Sequence, residues 1–251
     1  MHMKKVLIIP DSFKGTMSSA EICDIMEASV RRFFPHAQVV KIPVADGGEG
    51  SVDAFLTALG GEKRYVRVKG PYFDETEAFY GALDNGSAAV IEMAAAAGLP
   101  LAGDKRNPAE TTTYGVGQLM LEAVKNGAKR LIVGLGGSAT NDAGAGAASA
   151  VGIRFFDRAG NQFIPVGKTL IDIAEIDTGG LDPAFRSVEI TTMCDIDNPL
   201  CGPSGAAFVF GPQKGADTVM TAELDRGLSH LADIAQKLSG EDFRCLPGAG
   251  A

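Results

Sequence analysis

A glycine-rich segment between a predicted strand and a predicted helix offers the clearest chemistry in this chain. Residues 134–142 read Gly-Leu-Gly-Gly-Ser-Ala-Thr-Asn-Asp. At such a junction, free backbone N–H groups and the positive helix end can hold a phosphate, and glycine lets the phosphate approach closely. A tight turn that only packs the strand against the helix would need no side-chain donors. Because this segment carries several, it favours a phosphate site made of Gly136, Gly137, Ser138, Thr140, Asn141 and Asp142.

The same segment also fits the fingerprint of dinucleotide-binding folds. The spacing Gly134-x-Gly136-x-x-Ala139 is followed by Asp157, roughly the 20 residues further on that the fingerprint requires. A nicotinamide-dependent dehydrogenase is therefore an alternative prediction. A Walker-type phosphate loop is absent, because Gln162 stands where the first glycine would precede Gly167-Lys168-Thr169.

Polar loops follow the first two predicted strands at their carboxyl ends, where open α/β sheets bind ligands. Ser12 and Lys14 lie in the first loop, and Lys14 could neutralise a phosphate or a carboxylate, although a solvated loop lysine is the simpler interpretation. Asp46 lies in the second loop, where it could bind a hydroxyl group or a metal, or only cap the next helix. We expect the two loops to meet at one edge of the sheet.

Two carboxylates end another apolar strand. Asp195 and Asp197 could share Mg²⁺, with Asn198 as a neutral ligand, or one of them could accept the proton of a hydroxyl group. An Asp-Asn-Pro turn would explain Asn198 and Pro199 without any ligand, but it does not explain Asp195.

Two further segments carry cations and hydroxyl groups. Lys214 lies in a glycine-containing loop, 210–216, for which a phosphate contact and a surface turn are comparably good interpretations. Arg106 precedes a threonine-rich segment that contains Thr112, and together they offer a guanidinium and several hydroxyls to an acidic substrate. A lone arginine more often forms a surface ion pair.

The hydrophobic pattern predicts the elements that must position these side chains. The chain opens with strand 5–10, followed by a helix that starts at the capping box Ser18 to Glu21 and stops at Pro35. Strand 38–44 and a helix that ends before residues 60–61 come next. This alternation is typical of a parallel sheet with flanking helices. Hairpin signals follow, so a different sheet is expected to begin near residue 65. The later predictions are helix 117–126, strand 130–135, helix 141–151, strands 188–193 and 206–210, and helix 221–238.

Composition excludes several classes of function. The 251 residues are 45% hydrophobic and carry a formal charge of −8, so there is no basic stripe for nucleic acid or an anionic membrane. No apolar run reaches the roughly 20 residues of a membrane helix. The 4 cysteines are scattered and the chain has only 3 histidines, which disfavours a zinc site or a disulfide framework. We therefore expect a cytoplasmic protein with reduced thiols.

In chain order, six motifs together resemble those of the bacterial glycerate kinase type I family. The resemblance implies transfer of the γ-phosphoryl group of ATP to D-glycerate, giving 2-phosphoglycerate and ADP, with Mg²⁺ as cofactor. It also implies an α/β fold in which a Rossmann/flavodoxin-like parallel-sheet domain is interrupted by an inserted mixed-sheet α/β domain. The motifs are Asp11 to Gly15, Ala45 to Gly50, Thr111 to Gly115, Gly136 to Asp142, Cys194 to Leu200 and Phe210 to Ala216.

The resemblance also assigns domains and roles. The first domain would comprise 1–65, the inserted domain 66–240, and residues 241–251 would begin the return to the first domain. Family members continue beyond the Pro-Gly-Ala-Gly loop at 247–250, so the chain is expected to be truncated, and a fragment that only binds nucleotide is a third interpretation. A homodimer is a further expectation. The catalytic candidates are Asp195, Lys14 and Asp46, the metal ligands Asp195 and Asp197, the glycerate contacts Ser12, Arg106 and Thr112, and the nucleotide contacts the 136–142 loop and Lys214.

Overall fold

The computed structural model describes residues 5–13, 16–104 and 106–251. The strands are β1 (Lys5–Ile8), β2 (Gln38–Lys41), β3 (Glu62–Lys69), β4 (Glu75–Leu83), β5 (Ala88–Glu92), β6 (Arg130–Gly134), β7 (Arg154–Phe156), β8 (Gln162–Phe163), β9 (Glu175–Asp177) and β10 (Glu189–Met193). The α-helices are α1 (Ser19–Phe33), α2 (Ser51–Leu59), α3 (Ala94–Ala97), α4 (Leu99–Ala102), α5 (Tyr114–Lys125), α6 (Ala145–Ala150), α7 (Ala206–Phe210) and α8 (Thr218–Ser239). Short 3₁₀ helices span Asp84–Gly86, Gly167–Asp172, Pro183–Ser187 and Pro212–Lys214.

The first sheet contains β1 and β2, which pair in parallel and are joined through α1. Helix α1 starts where its sequence predicts, because Ser18 and Glu21 cap each other. The Glu21 backbone N–H donates to Ser18 Oγ at 3.2 Å, and the Ser18 backbone N–H donates to Glu21 Oε2 at 2.8 Å. This exchange satisfies two N–H groups that a bare helix end would leave without partners.

A second sheet begins at Glu62, which confirms the predicted change of sheet near residue 65. Its five strands follow the order β10-β6-β5-β4-β3, with β10, β6 and β5 parallel and β4 and β3 antiparallel to their neighbours. The predicted turn at 84–86 joins β4 to β5 and holds Asn85 at a positive φ of 55°. This mixture of parallel and antiparallel pairing confirms the predicted α/β class.

The register of this second sheet positions the site. Gly134, the last residue of β6, lies opposite Glu92 on β5 and opposite Met193 on β10. The loops that follow these three parallel strands therefore leave the sheet at the same edge. Ligands of open α/β sheets bind at such carboxyl edges.

Helices cover both faces of the second sheet. On one face α5 contributes Val116, Leu119 and Ala123 to a buried core, and on the other α2 packs Val52 against Val90. The sequence grouped α2 with the first domain, whereas its contacts lie on the second sheet. The domain limits 1–65, 66–240 and 241–251 stay predictions.

A third, antiparallel sheet overturns the dinucleotide interpretation. Strand β7 pairs with β8 and β9 in this small sheet, whereas β6 belongs to the five-stranded sheet. The fingerprint requires both strands of its β-α-β unit to be parallel neighbours in one sheet. Asp157 instead accepts hydrogen bonds from the backbone N–H groups of Ala159 and Asn161 in its own exposed turn. The dehydrogenase prediction for this segment is therefore wrong.

Two predicted elements also differ. Residues 206–210 form helix α7 rather than a strand, with Ala206 and Ala207 buried and Phe208 and Val209 exposed. A run of five apolar residues does not distinguish a strand from a buried helical turn. The helix predicted over 141–151 begins only at Ala145, because the four preceding residues form the end of the glycine-rich loop. Within the described ranges, no helix combines the length and the apolar character needed to span a membrane.

Candidate active site

The glycine-rich loop after β6 is anchored by backbone hydrogen bonds to two neighbouring loops. The Leu135 N–H donates to Met193 O at 3.1 Å, and the Gly136 N–H donates to Gly47 O at 3.0 Å. The loop thus connects the end of β10 with the loop that follows β2. These two bonds bring together three segments that are far apart in the sequence.

Two glycines of this loop are required by packing. A Cβ atom at Gly134 would lie 2.4 Å from Gly47 O, and one at Gly136 would lie 2.9 Å from the Gly48 backbone nitrogen. Both glycines therefore let the loop containing Asp46 approach the sheet, whereas the close-packing interpretation expected them between the strand and the following helix. Gly137 has a positive φ of 75°, a conformation that glycine adopts at low cost.

A cleft of about 200 Å³ brings together several of the predicted site residues at this edge. The predicted side chains that line it include those of Asp46, Ser138, Asp195 and Lys214, together with the backbone at 136–137. Asp46 Oδ1 also accepts a hydrogen bond from the Gly48 N–H at 2.9 Å, which holds its carboxylate near the loop. The two carboxylates, one ammonium and one hydroxyl thus share one open space.

Lys214 is the most unusual cation of the described chain. Its side chain is only 6% exposed, and Nζ donates to Ser138 Oγ at 2.8 Å and to Thr140 O at 2.6 Å. Burial lowers its pKa to about 8, and the carboxylate of Asp142 opposes that fall. An ammonium carries three N–H donors, so these two contacts leave one for a ligand.

Asp142 fastens the far end of the loop. Its Oδ2 accepts from the backbone N–H of Thr113, from Thr113 Oγ1 and from the Gly146 N–H, and its Oδ1 accepts from the Gly144 N–H. Burial raises the pKa of this carboxyl, while the four bonds act in the opposite direction. These donors already surround the carboxylate, so Asp142 anchors the loop to Thr113 and to the start of α6.

A second cavity of about 500 Å³ adjoins the cleft. Ser138, Cys194 and Lys214 line both spaces. Thr140 and Asn141 contribute polar groups to the second cavity, whose apolar lining comes mainly from α8 and the segment after it. Asn141 is 5% exposed, and its buried Oδ1 has no hydrogen-bond partner within the part of the chain that the structure describes.

The remaining predicted residues lie elsewhere, and their roles stay predictions. Lys14 falls outside the described residues. Ser12 lines a separate space of about 410 Å³ between the first two loops. Arg106 is exposed and donates to Gln213 O at 3.2 Å, next to the loop of Lys214.

Two other predicted residues do not line either space. Thr112 is fully buried, and its hydroxyl oxygen accepts from the Tyr114 N–H at 3.1 Å. Asp197 is exposed and is absent from the walls of both the cleft and the cavity, although Asp195 lies two residues away. A shared metal site of these two carboxylates stays a prediction.

The acid groups of the cleft are few. The described residues contain no group of three or more His, Cys, Asp or Glu side chains placed to hold a metal ion. Magnesium commonly takes only one or two protein carboxylates and completes its shell with water and substrate phosphates. Asp46 and Asp195, which line the same cleft, fit that pattern of binding.

Two important residues were missed by the sequence reasoning. Thr113 is the partner of Asp142, but only the tertiary fold brings 111–113 to the end of the loop. Glu92 ends β5, is buried, and accepts from the Val52 N–H at 2.7 Å at the start of α2. Burial raises the pKa of Glu92 to about 6, against the hydrogen bonds it accepts. A glutamate inside the apolar run 88–101 was the only sequence signal for it.

Comparison with known proteins gives one family. The model of the glycerate kinase family matches residues 6–251. The chain is 49% identical to a glycerate kinase of Bacillus subtilis (strain 168) and 45% identical to a glycerate 2-kinase of Escherichia coli (strain K12), each over 98% of this chain. It spans 65% of the length of each of these curated relatives.

A solved structure agrees with this result. The fold matches a crystal structure from Salmonella typhimurium LT2, of a protein assigned as a glycerate kinase 2, with a TM-score of 0.87 and 41% identity. The match covers 99% of this chain and 67% of that one.

Proposed function

This chain belongs to the glycerate kinase family, and we propose that it transfers the γ-phosphoryl group of ATP to D-glycerate, giving 2-phosphoglycerate and ADP. The main support is the cleft that gathers the glycine-rich loop, Lys214, Asp46 and Asp195 at one edge of the parallel strands. The name of the Escherichia coli relative, a glycerate 2-kinase, supports the choice of the 2-hydroxyl. Use of ATP with Mg²⁺ and a cytoplasmic location are parts of the same proposal.

The phosphates of ATP would lie between the 136–138 backbone and Lys214. The ammonium has one donor beyond its contacts with Ser138 and Thr140, and with a pKa of about 8 it is mostly charged at neutral pH. A charge held in place by two hydrogen bonds needs no reorganisation when the phosphoryl group moves. Lys214 would therefore offset the negative charge that develops on the transferred group and its leaving oxygen.

Asp195 would orient the reacting hydroxyl group of glycerate. Its carboxylate is exposed in the cleft at the end of β10, opposite the glycine-rich loop. Phosphoryl transfer depends mainly on positioning and charge neutralisation, so a carboxylate that accepts the hydroxyl proton and aims the oxygen is sufficient. Asp195 and Asp46 would hold Mg²⁺, which would supply charge neutralisation for the phosphates when bound.

Glycerate would bind on the side of the cleft that faces the loops after β1 and β2. Asp46 lies at this side and could bind a substrate hydroxyl. Lys14 and Arg106 are the cations proposed for the substrate carboxylate, with Ser12 as a further contact, whereas the fully buried Thr112 would support the site without touching glycerate. Arg106 is exposed beside Gln213, so its guanidinium is accessible to a ligand.

An ADP-release assay with D-glycerate, ATP and Mg²⁺ tests the proposal. Formation of ADP that requires glycerate, together with 2-phosphoglycerate identified by phosphorus NMR, is the expected result. Asp195→Asn keeps the size of the side chain but removes its charge, and we expect it to lower kcat by about 10²- to 10⁴-fold, as loss of a group that handles the proton does. Asp104→Asn, the same change on an exposed loop outside the cleft, is the matched control.

Other results would contradict these assignments. ADP release that does not depend on glycerate would exclude glycerate as the acceptor for this chain, and binding of ATP without any ADP release would favour the nucleotide-binding interpretation. Near-normal turnover of Asp195→Asn would leave phosphoryl transfer in place but remove Asp195 from the mechanism. Formation of 3-phosphoglycerate would correct the position of transfer.

A further inference from the structure

The 500 Å³ cavity beside the cleft is not needed to bind phosphate groups. It lies beyond Lys214, and its lining residues differ in character. Thr140 and Asn141 are among its polar lining residues, and Leu228, Leu231 and Ala235 of α8 are among its apolar ones. Its size is within the range of about 300 to 1,000 Å³ that small-molecule sites occupy.

Asn141 carries the strongest sign that this cavity has a ligand. Its side chain is buried in the wall of the cavity, and Oδ1 has no partner among the described residues. A buried amide oxygen without a donor costs free energy, and proteins rarely keep one without a reason. A ligand that presents an N–H or O–H group would remove that cost.

The cavity adjoins the phosphate cleft. Ser138, Cys194 and Lys214 line both spaces, so a molecule bound at Lys214 would have the cavity next to it. Such a molecule has an anionic end, at the cleft, and a largely apolar end with a donor group for Asn141 Oδ1. A nucleoside triphosphate has these properties, because the faces of its base are apolar and its amino and hydroxyl groups are donors.

We propose that this cavity binds the nucleoside of ATP, with the Asn141 amide as the group that recognises it. The inference rests on the proposed function, since it assumes that the phosphates lie at Lys214. It adds the place of the adenine nucleoside and a residue that decides affinity for it. The apolar face of α8 would cover the base.

Calorimetric titration of the chain with ATP and with inorganic tripolyphosphate, in the same Mg²⁺ buffer, separates the two ends of the ligand. Asn141→Ala should weaken ATP binding by about tenfold, the cost of one lost hydrogen bond in a buried site, and should leave tripolyphosphate binding unchanged. Asn161→Ala, in the exposed turn after β7, is the matched control.

A second variant changes a residue of α8 that lines the cavity. Ala235→Leu fills part of the space and should also weaken ATP binding only, while both residue types favour the helix. Ala222→Leu, at an exposed position of the same helix, is its control. Thermal unfolding of each variant, followed by circular dichroism, verifies that the altered chains are folded.

The outcomes separate this inference from the proposed function. Selective loss of ATP affinity in both variants supports the nucleoside site. Equal losses for both ligands, or no loss for either, would overturn it, as would an unaltered chain that binds ATP no more tightly than tripolyphosphate. If ATP binds no more tightly than tripolyphosphate, the phosphate site at Lys214 would still stand. Failure to bind either ligand would overturn both the nucleoside site and the phosphate site. If both variants lose ATP affinity selectively but the unaltered chain shows no glycerate-dependent ADP release, only the proposed glycerate kinase activity of this chain would be overturned.

Discussion

Lys214 provides the most direct test of how the site is built, because its charge is buried and forms no ion pair with any carboxylate of the described residues. Nζ is held by a hydroxyl and a carbonyl oxygen, and burial lowers the pKa from 10.5 to about 8. The unfolded chain therefore binds a proton more tightly than the folded chain between these two values. Stability consequently rises with pH through that window, since the unfolded state binds more protons there.

The size of this effect follows from the two pKa values. One pKa unit corresponds to 1.36 kcal/mol, so the charged lysine lowers the free energy of unfolding at pH 7 by about 3 kcal/mol. By pH 9.5 most of the folded chains have lost the proton, and about 2 kcal/mol of that cost is recovered. Lys214→Met has no charge and should lack this recovery.

Urea denaturation of both proteins at pH 7 and pH 9.5 measures the difference. The unaltered chain should gain about 2 kcal/mol relative to Lys214→Met over this range. A constant offset from the lost bonds to Ser138 and Thr140 does not affect this comparison. Lys168→Met, at an exposed lysine that pairs with Glu110 at 2.7 Å, controls for the loss of a surface charge. Identical differences at the two pH values would show that the charge of Lys214 is not buried, and the assignment of a dry, preorganised phosphate contact would fail with it.

Three further changes test the framework of the site by urea denaturation. Glu92→Gln removes a carboxyl whose folded pKa is raised to about 6. As pH rises from 4.5 to 7, the unaltered chain should therefore lose about 2 kcal/mol of stability relative to the variant. A stability difference that does not change with pH would contradict the burial of this charge near Asp53 and Lys63. Thr113→Val deletes a hydroxyl that donates to Asp142 and accepts from the Ala147 N–H at 2.9 Å. The loss should cost about 1 to 3 kcal/mol of stability. An unchanged stability would mean that the hydrogen bond between Thr113 and Asp142 is dispensable. Gly134→Ala places a Cβ 2.4 Å from Gly47 O and should cost about 1 to 3 kcal/mol of stability. Gly179→Ala is its control, because the nearest atom to the added Cβ there is Asp177 Oδ1, at the end of a side chain, at 3.0 Å. Equal stabilities of the two variants would refute the close contact of the loops.

Much of the local structure could be predicted from the sequence because its causes are local. The reciprocal bonds of Ser18 and Glu21 involve residues three apart, so the start of α1 was predictable. The Asp84-Asn85-Gly86 turn was likewise predictable from residues that tolerate a positive φ. The short apolar run 206–210 was not, because strand and helix bury such a run equally well and its neighbours decide between them.

The site itself was predictable only in its residue types and in the order of its motifs. Asp46, Ser138, Asp195 and Lys214 were identified as chemistry-bearing residues, and their motifs together predicted the family to which the chain belongs. Residues at the ends of parallel strands are expected to share an edge, so a common cleft could be anticipated. The spacing of Asp157 from the glycine-rich loop left a dinucleotide fold open as an alternative, since sequence spacing does not reveal which strands pair.

The sequence alone thus determined where α1 begins, where the turn at 84–86 lies and which loops carry donors, carboxylates and lysines, because short-range hydrogen bonds and side-chain types decide those features. Only the tertiary structure decided that β7 leaves the sheet of β6, that Thr113 meets Asp142, and that Lys214 is buried with a lowered pKa. These properties depend on strand pairing and on desolvation by residues far away in the chain. A pKa and a sheet neighbour are properties of the packed molecule, and no local pattern of residues encodes them.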